Sequence, residues 1–192
     1  MADSRAISLL ARLLDVLRAN RIRCAIGGGL AVNLHGVERH TDDVDAFFRD
    51  QDRLEVLRSL RKAGFTVDRV FGGVHYVAYE PGAPDLRVRI DAMFVAGDPE
   101  LAAVENPVQV EKWGLVIPTF PVELLVLAKF YSDQPLDRWD IAALYEQGSF
   151  EPETVRALLT ATDPDNLEAF DALMAEIRKP RRGRKRPPPR EP

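Results

Sequence analysis

The chain has 192 residues, 46% of them hydrophobic, with 12 Gly and 14 Pro, which is enough to bury one substantial core without demanding two independent domains. No run approaches the roughly 18 to 20 apolar residues of a membrane span and no basic flank leads into a signal-like stretch, while the one cysteine, Cys24, can build neither an internal disulfide nor a cysteine-rich zinc site; a cytoplasmic protein with no membrane partner is expected. The net charge of -4 divides into residues 179–192, with seven Lys/Arg and one Glu (+6), and a body with 19 Lys/Arg against 29 Asp/Glu (-10), so a polyanionic ligand needs help from a metal or a few placed cations.

In chain order, Ile7, Leu10, Leu13, Leu14 and Leu17 recur at three- and four-residue spacing and predict an amphipathic helix over 4–20. Residues 24–26 read as a short buried strand that ends in Gly27-Gly28-Gly29, and 30–36 as a turn or two of helix stopped by Gly36. A second strand is expected over 44–48 and a second helix over 52–64. Residues 65–70, 74–79 and 86–94 are β-rich and broken by Gly72-Gly73 and by Pro81-Gly82-Ala83-Pro84, as hairpin-linked strands would be. A loop through Pro99 and Pro107 leads to a short strand at 115–117, and helices follow over 121–131, 138–146, 152–160 and 166–177. The expected organisation is an α/β core over 1–120, a helical region over 121–178 and a disordered basic tail over 179–192. That tail is proline-punctuated and has no aliphatic side chain to bury; it is either a solubilising segment or an arm for nucleic acid.

The chemistry concentrates in residues 26–47. On a strand from Asp43, Asp43 and Asp45 project from one face while Val44 points into the core. Like charges held that close require a divalent cation or a shared proton, and Mg2+ suits carboxylate oxygens while leaving room for water and phosphate. The glycine turn lets backbone approach a triphosphate. Asp91, on a later strand able to pair alongside, makes a third carboxylate; three such groups could hold two metal ions for phosphoryl transfer. The other notable residues have plainer readings. Lys129 on an apolar helix face could snorkel to solvent, and Asp140 could pair with Arg138. His35, His40 and His75 lack ligand spacing, with His35 expected at a helix end and His40 in a loop. Cys24 reads as a small buried side chain, and Trp113 and Trp139 as packing residues that could otherwise stack a base.

Gly28-Gly29, thirteen intervening residues, Asp43-Val44-Asp45-Ala46 and Asp91 downstream resemble the signature of the polymerase-β-like nucleotidyltransferase superfamily. The run Arg39-His40-Thr41-Asp42-Asp43-Val44-Asp45, with Lys129 and then Arg138 and Asp140 on later helices, looks most similar to AbiEii-type toxins of type IV toxin-antitoxin systems, across residues 20–146. The resemblance implies an α+β nucleotidyltransferase fold, a mixed β-sheet flanked by helices with a C-terminal helical region. It also implies a Mg2+-dependent enzyme, a transferase that moves NMP from an NTP to a hydroxyl acceptor and releases pyrophosphate. On it, Asp43, Asp45 and Asp91 bind metal and carry catalysis, Gly28 and Gly29 cradle phosphate, Lys129 meets the triphosphate, and Arg39, Thr41 and Asp140 support the site. Two departures stand out: Gly29 replaces the common serine, and the helical half is short for an AbiEii-type protein. The toxin likeness favours RNA, tRNA or a protein as acceptor, with an antitoxin as partner. The alternatives are a small-molecule, antibiotic-type nucleotidyltransferase, to which an acidic body would draw a cationic aminoglycoside, and a catalytically silent binding module.

Overall fold

The computed structural model describes residues 3–82 and 87–179. The expectation of a disordered tail therefore lies almost wholly outside the described residues. Helix α1 (Ser4–Ala19) is capped by Asp3, whose side chain accepts the Arg5 backbone N–H at 2.7 Å, and it buries the leucine stripe read from its spacing. Strand β1 (Ala25–Ile26) runs into helix α2 (Gly28–Leu34), and β2 (Val44–Arg49) follows after a loop. A 3-10 turn (Asp50–Asp52) leads into α3 (Arg53–Lys62), then β3 (Thr66–Phe71), β4 (His75–Tyr79) and β5 (Ile90–Val95). Helix α4 (Glu100–Glu105) and strand β6 (Val108–Lys112) occupy the stretch in which the sequence pattern predicts a loop. Strand β7 (Leu115–Thr119) and helices α5 (Val122–Ser132), α6 (Pro135–Glu146), α7 (Pro152–Thr162) and α8 (Leu167–Ile177) complete the order.

Among the described residues, seven strands form one mixed sheet in the order β3-β4-β5-β2-β1-β7-β6. The β2–β5 and β1–β7 pairs are parallel and the other neighbouring pairs antiparallel. The fold is α+β, as expected. Alternation along β2 decides which side chain goes where: Val44, Ala46 and Phe48 are fully buried and pack with α1 and α3 on one face. Phe47, on the other face, packs with the core built from α2 and α4 through α8, its ring centroid 4.8 Å from that of Phe120. In β5, Ile90, Ala92 and Phe94 join the first core and Val95 the second. By the same alternation Asp45 and Asp91 lie on the face that carries the C-terminal helices, and the parallel register sets them directly beside each other.

Candidate active site

The site is built where β1 ends. The Gly27 backbone N–H donates to the Asp45 carbonyl at 2.9 Å, which draws the glycine turn against β2. At Gly28, whose φ is +55°, a Cβ would overlap the Asp45 carboxylate, so glycine is required by both backbone and space. Position 29 is closed for a different reason: a Cβ there would overlap the Arg39 guanidinium. The serine common in the superfamily signature would need Arg39 to move. Asn33 fixes the loop that brings Arg39 back, its amide donating to the carbonyls of Gly29 at 3.2 Å and Arg39 at 2.8 Å while its oxygen accepts the Arg39 N–H at 3.2 Å. Lys112 in turn donates to the Asn33 carbonyl at 2.5 Å.

The structure brings together the three carboxylates: oxygens of Asp43, Asp45 and Asp91 all lie within 4.8 Å of one another. Thr41 Oγ1 donates to Asp43 Oδ1 at 2.7 Å, fixing that carboxylate from the loop before β2. Removal from water, and then repulsion from Asp43 and Asp91, push the Asp45 carboxyl up to about 7, and the positive charges of Lys129 and Arg39 offset part of this. Such a group holds a proton near neutrality unless a cation takes its place. The donors are hard carboxylate oxygens converging on one point, a set that fits Mg2+ or Mn2+.

Lys129 lies apart from the snorkelling reading: it is 5% exposed, and its Nζ donates to Asp137 Oδ1 at 2.8 Å and Asp140 Oδ2 at 2.7 Å. Asp140, fully buried, also faces Arg39 Nη1 at 3.1 Å, and Arg138 pairs with Asp133. Ser132 Oγ donates to Asp137 Oδ2 at 2.7 Å. A buried chain of charges thus runs from the end of α5 through α6 to Arg39 beside Gly29. Asp140 Oδ1 and two Arg39 nitrogens, Nε and Nη1, are buried without a hydrogen-bond partner.

Two residues that sequence reasoning passed over touch Asp91. His75 Nε2 lies 2.9 Å from Asp91 Oδ1, and Arg89 Nε lies 3.1 Å from each Asp91 oxygen. The remaining candidates take their plain roles. His35 caps the end of α2 with Nε2 at 2.7 Å from the Phe120 carbonyl, and burial pulls its pKa below the ordinary histidine value. Burial pushes the Cys24 thiol up to about 12, which leaves it inert. Trp113 and Trp139 pack against the first and second cores.

The fold has counterparts among solved structures. A solved structure of ANT(2'')-Ia in complex with adenylyl-2''-tobramycin is 18% identical, covering 88% of this chain and 97% of that one, with a TM-score of 0.51. A putative nucleotidyltransferase (TM1012) from Thermotoga maritima is 16% identical over 84% of this chain and 96% of its own, with a TM-score of 0.56. The lincomycin-bound lincosamide antibiotic adenylyltransferase LnuA is 19% identical over 75% and 97%, with a TM-score of 0.51. At these identities the likeness is one of fold. No curated protein matches the chain by sequence. The family model described as aminoglycoside-2''-adenylyltransferase matches residues 9–122, which include the glycine turn and all three carboxylates. That stretch exceeds half of the chain, which therefore belongs to the aminoglycoside-2''-adenylyltransferase family and is a nucleotidyltransferase.

Proposed function

We propose that the protein transfers an adenylyl group from ATP to a hydroxyl of a small cationic acceptor of the aminoglycoside class. The observation that carries this reading is the convergence of Asp43, Asp45 and Asp91 beside Gly28. Asp43, Asp45 and Asp91 would hold Mg2+, which supplies charge neutralisation at the transferring phosphoryl group. Asp91 takes the proton of the acceptor hydroxyl. The acceptor oxygen forms a bond to the α-phosphorus as the bond to pyrophosphate breaks. Gly28 and Gly29 let the Asp45 carboxylate and the Arg39 guanidinium approach the turn whose backbone would cradle the phosphates, Thr41 orients Asp43, and Lys129 and Arg39 moderate the charge around Asp45. The body charge of -10 favours a polycation over a polyanion as acceptor.

A second reading, transfer to RNA, tRNA or a protein in the manner of a toxin with an antitoxin partner, is favoured by one feature, the +6 of residues 179–192. The deciding experiment incubates the protein with Mg2+ and labelled ATP, GTP, CTP or UTP in the presence of tobramycin, lincomycin, total RNA or a protein mixture. Label from ATP on tobramycin is the expected outcome. Label on RNA or protein alone overturns the acceptor assignment, and label on nothing overturns the transfer reading. Asp43→Ala is expected to lower transfer at least about 100-fold, because a lost metal ligand removes charge stabilisation of the transition state.

A further inference from the structure

We infer that His75 is a positioning residue for Asp91 and that, together with Arg89, it leaves Oδ2 as the more open oxygen of Asp91. The inference rests on the metal and proton role proposed above for Asp91. The antiparallel register sets Val77 opposite Asp91, so His75, two residues away on β4, shares that face and reaches Asp91 on the diagonal. Arg89, two residues before Asp91 at the entry to β5, falls on the same side by strand alternation.

An ionised carboxylate only accepts hydrogen bonds, and its two oxygens offer about four lone-pair sites. Oδ1 takes His75 Nε2 at 2.9 Å and Arg89 Nε at 3.1 Å, which fills it. Among the described residues, Oδ2 takes only the shared Arg89 Nε, also at 3.1 Å, and so stays the more open of the two oxygens. As a metal-binding carboxylate Asp91 accepts, so in that role the contact has His75 donating from Nε2. On its other flank Asp91 meets Asp45, its register partner on β2. The carboxylate is therefore gripped from the β4 side and faces the cation site on the β2 side. Without the grip, rotation about its Cβ–Cγ bond, a soft torsion, would present either oxygen or both to a cation. His75 turns an adaptable ligand into a one-atom ligand of defined direction.

The test measures Mn2+ binding to the full chain by electron paramagnetic resonance, without nucleotide or acceptor, for wild type, His75→Ala and His75→Gln, alongside thermal melts. His75→Ala is expected to weaken Mn2+ binding about 10-fold or more, as loss of an outer partner of a metal ligand does, while His75→Gln, which keeps an N–H donor of similar reach, stays within about threefold of wild type. In adenylyl transfer at saturating metal, His75→Ala should lower kcat and leave the acceptor KM near wild type. If His75→Ala does not fold, His75→Asn, whose amide is too short to reach Oδ1, is compared with His75→Gln instead. Unchanged Mn2+ affinity in the short variant, or equal loss in both, overturns the positioning role and leaves the metal site standing. A wild type that binds no Mn2+ overturns the metal assignment and the inference with it.

Discussion

Asp45 carries most of the electrostatic tension in the site, and its consequence can be measured without any substrate. An aspartate in the unfolded chain loses its proton near the ordinary value of 3.8, whereas in the folded protein Asp45 keeps it up to about 7. Between those values the folded state binds the additional proton, so stability falls as pH rises through this window and levels off above it. In the metal role proposed for Asp45, a divalent cation would compete for the same carboxylate and remove the penalty. Thermal melts of metal-free protein should therefore show a midpoint that declines from pH 5 toward pH 7.5, and addition of Mg2+ should flatten that decline; a midpoint that rises over this range contradicts the assignment. Asp43 and Asp45 were legible in the sequence because a two-piece motif acts over a short span, although β2 begins at Val44 and Asp43 lies in the bend before it rather than on the strand as expected; Asp91 was legible as a carboxylate on a later strand able to pair alongside. His75, Arg89 and Asn33 were not. His75 is joined to Asp91 across two strands and Asn33 to Arg39 across a loop, and a single histidine or asparagine bears no local mark of the partner it will meet.

At the scale of elements, helices α5 and α6 are clasped by Lys129 between Asp137 and Asp140, and α6 is tied to the loop after α2 through Arg39. Removing the cation would leave two buried carboxylates facing each other. Lys129→Met is expected to destabilise the fold by roughly 3–5 kcal/mol in urea denaturation, the range for breaking a buried ion pair from one side. Adding Asp137→Asn and Asp140→Asn should recover part of that loss; a single variant as stable as wild type would show that the clasp contributes little. The sequence placed the start of α6 at 138, whereas Pro135 occupies the first turn, where its missing N–H costs nothing, and so brings Asp137 into the helix. Helix α4 spans six residues between Pro99 and Pro107, too short for a helical period to register. Strand β6 escaped notice because its hairpin turn is Trp113-Gly114, both at positive φ, where Asn-Gly is the usual signal and tryptophan is not.

Over the whole molecule, charge separates into an acidic body and a basic end. Deleting residues 179–192 takes the net charge from -4 to -10. With a cationic acceptor, that deletion should raise kcat/KM at low salt by up to about tenfold and make it fall more steeply as salt is added, the signature of electrostatic attraction. An acceptor that is RNA would give the reverse, a loss of kcat/KM on deletion. The passage from an α/β front half to a helical back half could be read along the chain, since hydrophobic period and glycine punctuation report it locally. The full order of strands could not: the sequence suggests that the Asp91 strand could pair beside β2, as β5 does, but β1 beside β7 and the place of β6 at the edge are set by long-range registry for which the sequence has no short-range code.

On the metal site proposed above, the pairing of β5 with β2 also determines when a cation could first be captured. Asp43 and Asp45 are synthesised well before Asp91, yet the trio exists only once β5 has slid into its berth next to β2. A polypeptide released before residue 91 carries two thirds of the ligands and no enclosure for an ion. On that proposal, cation uptake during refolding would thus report closure of the central sheet.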